Sequence, residues 1–190
     1  NKLNFLLDHL TGENEGAVAT PGIYFQTGGE EHESVGAPDI VDVKGDLVDS
    51  YQKVAIEEYY KYGSLNSFTR MRDAPYAPIQ FARGCRAMCT FCAVRDFMGK
   101  GVRHRSVEDV LAEMTFLVEE RGVHHFEWLD DDPTYYKDKF KQILREITAR
   151  NWDIRWFSNN GVIASTLDEE MLQLMCDSNG IGFKVGIESG

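Results

Sequence analysis

The chain has 190 residues, of which 43% are hydrophobic and 27% are charged, and its net charge is −11. This is ordinary globular composition, so a disordered, collagen-like or low-complexity chain is excluded. No uninterrupted apolar run is long enough to cross a membrane, so no membrane span is expected. The acidic balance repels phosphate backbones, so no nucleic-acid partner is expected either.

The first 75 residues contain little apolar sequence per element. We predict a short helix at residues 4–10, a hairpin of two strands at 23–26 and 32–35, and a short helix at 54–62. We interpret residues 1–75 as a small irregular α+β linker segment, or the tail of an upstream domain.

A regular alternation of strands and helices begins at Pro78. The apolar patterns predict a parallel α/β sheet with right-handed crossovers and outer helices. The predicted strands are residues 79–82, 125–129, 154–157 and 182–187, and the predicted helices are 106–121, a segment after Thr134 that includes 140–147, and 167–176.

Polar residues follow each predicted strand of this sheet. They are the cysteine-rich loop after the first strand, residues 130–132, residues 158–160, and residues 188–189. In parallel α/β folds chemistry collects at the carboxyl ends of the strands. We therefore expect these four segments to form one functional site.

Three of the four cysteines, Cys85, Cys89 and Cys92, fall within eight residues. Such tight spacing is typical of a metal or redox centre in a reducing compartment, so a cytoplasmic location is expected. Three thiolates suit an iron–sulfur cluster or zinc. Cys176 lies in an amphipathic helix and is predicted to be a buried core thiol. No sequence argument makes His104 a fourth ligand.

The cysteines lie in a basic stretch of an otherwise acidic chain. Residues 81–105 contain six basic residues and one acidic residue. This positive charge would offset that of thiolate ligands and of a bound carboxylate. Arg103 and Arg105 are candidates to face such a carboxylate, although solvated surface positions suit them equally well.

The spacing Cys85-x-x-x-Cys89-x-Phe91-Cys92 resembles the signature loop of the radical S-adenosylmethionine (SAM) superfamily. Three further segments resemble that family's core in the same order. They are the start of the first helix at 103–110, the second strand with its acidic end at 126–132, and the fourth strand at 186–190. The resemblance covers about residues 76–190.

The resemblance implies that Cys85, Cys89 and Cys92 hold a 4Fe–4S cluster whose fourth iron is chelated by SAM. One-electron reduction then cleaves SAM to methionine and a 5′-deoxyadenosyl radical, which abstracts hydrogen from an organic substrate. Phe91 would lie near the adenine, with plain loop packing as its alternative.

Asp130 and Asp131 are the candidates for binding the SAM ammonium group, because a cation at a strand end needs carboxylate acceptors. Many family members have Gly-Gly-Glu here, so the acidic run leaves the contacting atom open. For Asp132, a helix cap before Pro133 is the preferred interpretation.

The resemblance also makes Glu188 and Ser189 candidates for the ribose hydroxyls. Ser158 and Asn160 are further SAM candidates, although Asn160-Gly161 can equally form a turn. The family implies a small-molecule substrate and a reductant such as flavodoxin or ferredoxin.

The family barrel has six βα units, whereas this sequence supplies four strands and three helices. The fold expected is therefore a partial (βα)6 TIM-like radical SAM barrel, with residues 76–190 as a core truncated after its fourth strand. We expect the chain, which starts at Asn1 and ends at Gly190, to be a fragment of a longer protein.

Residues 21–29 resemble the strand and Gly turn that precede the core in the cobalamin-binding branch of the superfamily. The resemblance implies cobalamin use by the full-length parent, for methylation or ring formation. Two alternatives stay open: a tRNA methylthiotransferase-like radical SAM enzyme, and a non-catalytic zinc or iron–sulfur structural module. No cysteine precedes Cys85 to hold a second cluster, which disfavours the first.

Overall fold

The computed structural model describes residues 24–27, 30–33, 47–61 and 75–187. The chain divides into two compact units, Asn1–Val41 and Asp42–Gly190. In the described part of the first unit, strands β1 (Tyr24–Thr27) and β2 (Glu30–Glu33) pair antiparallel, with Tyr24 opposite Glu33. The predicted hairpin is confirmed, whereas the predicted helix at 4–10 lies outside the described residues.

The second unit alternates strands with helices, as the sequence predicts. In chain order its elements are α1 (Val48–Gln52), α2 (Ile56–Tyr60), β3 (Tyr76–Ile79), β4 (Ala82–Arg83), α3 (Val94–Met98), β5 (Arg103–His104), α4 (Val107–Glu119), β6 (His125–Trp128), α5 (Lys137–Arg150), β7 (Arg155–Val162), α6 (Glu169–Asp177) and β8 (Gly180–Val185). A short 3-10 helix, Ala164–Thr166, precedes α6.

Four of these strands form one parallel sheet in the order β3-β6-β7-β8. Ile79 pairs with Trp128, Trp128 with Ser158, and Ser158 with Phe183, so the carboxyl ends of the strands lie at one edge of the sheet. The strands of this sheet follow one another in chain order, and α4, α5 and α6 are the crossovers between them. This is the strand order of the predicted partial barrel.

The core lies between the sheet and the helices α4, α5 and α6. We call these three helices, with the core beneath them, the helical layer. Trp128, Trp156 and Phe140 are fully buried there, and the Trp128 ring packs edge-on against both of the others. The Trp156 indole N–H donates to the carbonyl of Ser178 at 2.9 Å. Trp156 therefore combines apolar burial with a paired polar atom, whereas the buried indole nitrogen of Trp128 has no hydrogen-bond partner.

Two helices of this layer begin with a side-chain cap. Ser106 Oγ accepts from the amide of Asp109 at 3.0 Å, as predicted for the start of α4. Asp168 Oδ1 accepts from the amide of Met171 at 2.7 Å at the start of α6. Each cap satisfies a backbone donor that the first helical turn leaves unpaired.

Residues 47–61, which the sequence assigns to the linker, pack on the core as two short helices instead of one. Arg121 binds both carboxylate oxygens of Glu57 at 2.6 Å and the carbonyl of Tyr51 at 2.8 Å. The Tyr51 hydroxyl donates to the carbonyl of Pro78 at 3.3 Å. The boundary at residues 75 and 76 stays a prediction, but this segment contacts the core directly.

Two strands differ in extent from their predictions. β3 ends at Ile79 because the next backbone amides turn towards a buried carboxylate described below. β7 continues through the Asn160-Gly161 pair, so the predicted end of this strand at residue 157 and the alternative of a turn at this pair are both wrong. The pairing of β7 with β8 is irregular between Ser158 and Val162, and Gly161 has a φ of +101°. A β-bulge at this glycine lets the strand continue although the Asn-Gly sequence favours a turn.

Cys176 is exposed, so the prediction of a buried core thiol is wrong. The inward face of α6 carries Met171 and Met175 instead. None of the described helices is both long and apolar enough to cross a membrane.

Candidate cluster and SAM site

The cysteines lie on a closed loop, residues 84–101, which we call the cluster loop. Its ends are held together by β4 and β5, which pair Ala82 with His104 and Arg83 with Arg103. Gly84 has a φ of +93°, and a Cβ there would collide with the carbonyl oxygen of Gly101. Glycine is therefore required at the base of the loop, one residue before the first cysteine.

All three cysteines line one cavity of about 350 Å³ at the carboxyl ends of the strands. Its walls also contain Asp131 from the end of β6, and Asn160 and Val162 from β7. The full lining is Cys85, Ala87, Cys89, Phe91, Cys92, Val94, Asp131, Asn160, Gly161, Val162, Ile163, Ala164 and Gly186. Three of the four predicted polar segments thus meet at this cavity.

The thiols differ in their surroundings. Cys85 is half-buried, and Cys89 and Cys92 are exposed. Burial raises the pKa of the Cys85 thiol, and the nearby Asp132 and Asp131 carboxylates raise it further, while the Ala87 amide donates to its sulfur and lowers it. Over the residues that the structure describes, no three His, Cys, Asp or Glu side chains converge as ligands of a single metal ion.

A 4Fe–4S cluster makes a different demand on its ligands, because each cysteine binds a separate iron atom. Three cysteines on one loop, with a cavity beside them, fit a cluster that keeps one iron for another ligand. Phe91 belongs to the same loop and its side chain is 73% exposed at this cavity.

Asp131 supplies the charged group of the cavity. Its carboxylate is near the Gly84 amide, yet its buried Oδ2 has no hydrogen-bond partner. Burial raises the pKa of Asp131, and the neighbouring Asp132 charge adds to that effect. A buried carboxylate oxygen without a donor is an unsatisfied acceptor for a cationic ligand group.

Asp130, the other predicted ammonium ligand, does not line the cavity. Its carboxylate is fully buried and accepts from the backbone amides of Phe81 and Ala82, at the point where the chain leaves β3. Burial raises the pKa of Asp130 to about 7, and these amide bonds oppose the rise. Asp130 thus connects the end of β6 to the base of the cluster loop.

Asp132 is not the predicted helix cap. Helix α5 begins five residues later, at Lys137, without a side-chain cap. The buried Asp132 carboxylate instead accepts two hydrogen bonds from the Arg86 guanidinium, at 2.6 and 2.9 Å. The sequence analysis did not single out Arg86, because its partner is 46 residues away.

Of the two candidates on β7, the structure brings Asn160 to the cavity and leaves Ser158 buried. The Asn160 amide donates to the carbonyl of Leu129 at 2.9 Å. Ser158 Oγ donates to the carbonyl of Gly161 at 3.4 Å. Between them, Asn159 is 3% exposed, and neither its amide nitrogen nor its amide oxygen has a partner. Because buried amides are rarely unpaired, Asn159 is a further candidate for binding a polar ligand group.

The two arginines considered for a bound carboxylate have other partners. Arg105 is buried in an ion pair with Glu113 and also donates to the carbonyls of Gln80 and Asp109. Arg103 donates to the carbonyl of Met98 at 2.8 Å. Arg105 therefore links the chain segments on either side of the cluster loop, and Arg103 binds the end of the loop itself. Glu188 and Ser189 lie outside the described residues.

Fold and site together define a class: a parallel α/β partial barrel with a three-cysteine loop at the carboxyl ends of its strands. Residues 79–190 match the Radical SAM superfamily, so the chain belongs to this superfamily of enzymes. Its members use a 4Fe–4S cluster and SAM.

Several relatives have assigned activities. The chain is 36% identical over 109 residues to cytidylyl-2-hydroxyethylphosphonate methyltransferase of Streptomyces wedmorensis. This match covers 57% of this chain and 20% of the relative. It is 31% identical over 109 residues to anaerobic magnesium-protoporphyrin IX monomethyl ester cyclase of Rubrivivax gelatinosus, again covering 57% and 20%. Ribosomal protein methylthiotransferases also match.

A solved structure shares the fold. The radical SAM methyltransferase TsrM of Kitasatospora setae, solved with its tryptophan substrate and a SAM analogue, superposes with a TM-score of 0.59 at 20% identity. The match covers 97% of this chain and 35% of that one. The chain thus spans about a third or less of the lengths of these proteins.

Proposed function

We propose that this chain is the cluster- and SAM-binding part of a radical SAM enzyme whose full-length form carries out a cobalamin-dependent methylation or a ring formation. The observation that carries the proposal is the single cavity that combines Cys85, Cys89 and Cys92 with the unpaired Asp131 oxygen. The substrate is a small organic molecule, and the electron comes from a flavodoxin or ferredoxin.

The residues divide the work of binding. Cys85, Cys89 and Cys92 hold the cluster, and Asp131 accepts from the SAM ammonium group. Asp130 contributes indirectly, because its carboxylate accepts from the Phe81 and Ala82 amides at the base of the cluster loop. When bound, the cluster supplies the electron that cleaves SAM to methionine and a 5′-deoxyadenosyl radical.

The cavity walls support the remaining contacts. Phe91 offers an exposed ring for the adenine, and Asn160 offers an amide group to SAM or to the substrate. Asn159, which is next to Asn160 on β7 but does not line the cavity, has an unpaired buried amide. Glu188 and Ser189 are proposed for the ribose hydroxyls on the resemblance alone. Val162 and Ile163 give the cavity an apolar wall, which limits the access of water to the reacting atoms.

The methyltransferase and cyclase relatives support the choice of reaction. The TsrM fold has also been solved with cobalamin and a 4Fe–4S cluster bound, which supports cobalamin use by the full-length protein.

The proposal is tested by reconstituting the chain anaerobically with iron and sulfide, adding dithionite and SAM, and assaying 5′-deoxyadenosine. We expect product from the wild type and none from Cys89→Ala. Cys176→Ala is the matched control, because Cys176 is an exposed thiol outside the cavity, and it should retain full activity.

Metal analysis of the same samples separates the alternatives. Iron and sulfide bound through the three cysteines support the cluster, whereas stoichiometric zinc bound by the same thiols supports the structural module. A fully loaded, reducible cluster that produces no 5′-deoxyadenosine, in this chain and in the full-length protein, would contradict the proposal.

A further inference from the structure

Arg86 lies between the first two cysteines of the cluster loop and is bound to a residue on another strand end. Its planar guanidinium donates from Nε to one Asp132 oxygen at 2.6 Å and from Nη2 to the other at 2.9 Å. Asp132 is fully buried, while the Arg86 side chain is one-third exposed. A two-point bond of this kind fixes both distance and orientation between its partners.

This ion pair is the long-range attachment of the loop's cysteine segment. In the described part of the chain, the other hydrogen bonds of residues 85–100 run within the loop or to Arg103, such as Arg95 to the carbonyl of Ala87 at 3.4 Å. The Arg86 guanidinium also lies over the Tyr135 ring, 4.7 Å from its centre. The first cysteine is thereby tied to the segment that follows β6.

The same segment carries Asp131, the proposed ammonium ligand. Asp130, Asp131 and Asp132 are three consecutive carboxylates beside a loop of thiols. Arg86 compensates the charge of Asp132, which does not line the cavity, and leaves Asp131 Oδ2 unpaired. A buried carboxylate without such a cation is strongly disfavoured, so the pair also determines the net charge next to Cys85.

We propose that Arg86 and Asp132 are positioning residues for the cluster: their pair holds Cys85 in place relative to Asp131 and keeps the charge beside the cluster balanced. This inference rests on the proposed function, because it assigns the pair a role toward the cluster. Neither residue binds iron or SAM in it.

The positioning role is tested on the metal-free chain by hydrogen–deuterium exchange of the peptide spanning residues 84–94. Arg86→Met and Asp132→Asn should both accelerate exchange there, and Arg86→Lys should do so too, since lysine keeps the charge but not the fork. The matched control is Arg150→Met, which removes an exposed arginine of a surface ion pair and should leave this peptide unchanged.

The charge role is tested on the reconstituted chain by a redox titration followed by EPR. Asp132→Asn leaves Arg86 uncompensated, so the cluster potential should become less negative. The double variant Arg86→Met/Asp132→Asn removes both charges, so its potential should return to the wild-type value while its loop still exchanges fast. Iron affinity should fall by roughly 10–100-fold in the single variants, as for other groups that orient metal ligands.

Unchanged loop exchange in Arg86→Met and Asp132→Asn would overturn the positioning role. A potential that is unchanged or more negative in Asp132→Asn, with the cluster loaded, would overturn the charge role. A wild-type chain that takes up no cluster would contradict the proposed function and the charge role together, whereas the exchange experiment would still decide the positioning role.

Discussion

The helical layer and the cluster loop are attached to the same sheet, but they are built in opposite ways. In the helical layer, large side chains such as Phe140 and Met114 are fully buried. In the cluster loop, Met88, Phe91 and Phe97 are each more than 70% exposed. Asp131, which lines the same cavity as Phe91, has an unpaired oxygen. Stability therefore resides mainly in the helical layer, while the loop is shaped for ligands.

The comparison predicts that substitutions in the helical layer lower stability, whereas substitutions in the cluster loop lower ligand binding. The largest effect on stability is expected in the helical layer. Phe140→Ala removes a fully buried ring and should lower the free energy of unfolding by about 3–5 kcal/mol. Phe97→Ala, which removes a 79% exposed ring from the cluster loop, should change it by less than about 0.5 kcal/mol. Urea unfolding of both variants checks this, and equal losses would contradict the division.

Asp130 connects the end of β6 to the base of the cluster loop and should make stability depend on pH. Its folded-state pKa, about 7, lies above the ordinary value of 3.8, so the folded state holds the proton more tightly. The stability it contributes is present below pH 4 and is lost as the pH rises to about 7. Between pH 5 and 8, Asp130→Asn should lose this dependence, on the order of 2–4 kcal/mol.

The measurement for Asp130 is urea unfolding at pH 5 and pH 8, with the exposed Asp153→Asn as the matched control. The control should follow the wild-type curve at both pH values. Parallel curves for Asp130→Asn and the wild type would show that Asp130 does not titrate in this range.

Asp131 belongs to the binding side of the comparison. Asp131→Asn removes the charge proposed to accept from the SAM ammonium group, so SAM affinity should fall roughly 10–100-fold while stability changes little. Equilibrium binding of SAM to the reconstituted chain measures this. Asp96→Asn, at an exposed carboxylate of the same loop, should bind SAM as the wild type does; a similar loss in both variants would indicate a general effect of loop charge.

The smallest effect is expected at a helix cap. Ser106→Ala removes the acceptor for the Asp109 amide and should cost about 1 kcal/mol of stability. Ser165→Ala, at an exposed serine, should cost less than about half of that. Thermal unfolding is sufficient to resolve the pair, and Ser106→Ala should leave iron content unchanged.

The order of strands, their parallel pairing and the cap at Ser106 follow from local patterns, which explains why the sequence predicts them. Hydrophobic periodicity and capping residues act over a few positions. The grouping of the three cysteines with Asp131 and Asn160 at one cavity also follows, since strand ends in a parallel sheet converge. The motif and its context were sufficient to identify the superfamily.

Other features depend on partners far away in the sequence, and local patterns cannot reveal them. Asp132 looks like a cap because it precedes Pro133, yet it pairs with Arg86. Asn160-Gly161 looks like a turn, but β8 accommodates it as a bulge. From the sequence, Arg105 looks like a surface cation, but in the structure it is buried and binds Glu113 and two carbonyl groups. In each case tertiary contacts decided between two locally acceptable structures.

The central claim is that the strand-end cavity binds a 4Fe–4S cluster and SAM together. It is tested most directly by the EPR spectrum of the anaerobically reconstituted, dithionite-reduced chain, recorded with and without SAM. We predict a reduced 4Fe–4S signal that changes when SAM is added to the wild type and changes less in Asp131→Asn at the same SAM concentration. A stable reduced cluster whose spectrum stays the same at saturating SAM would contradict the account.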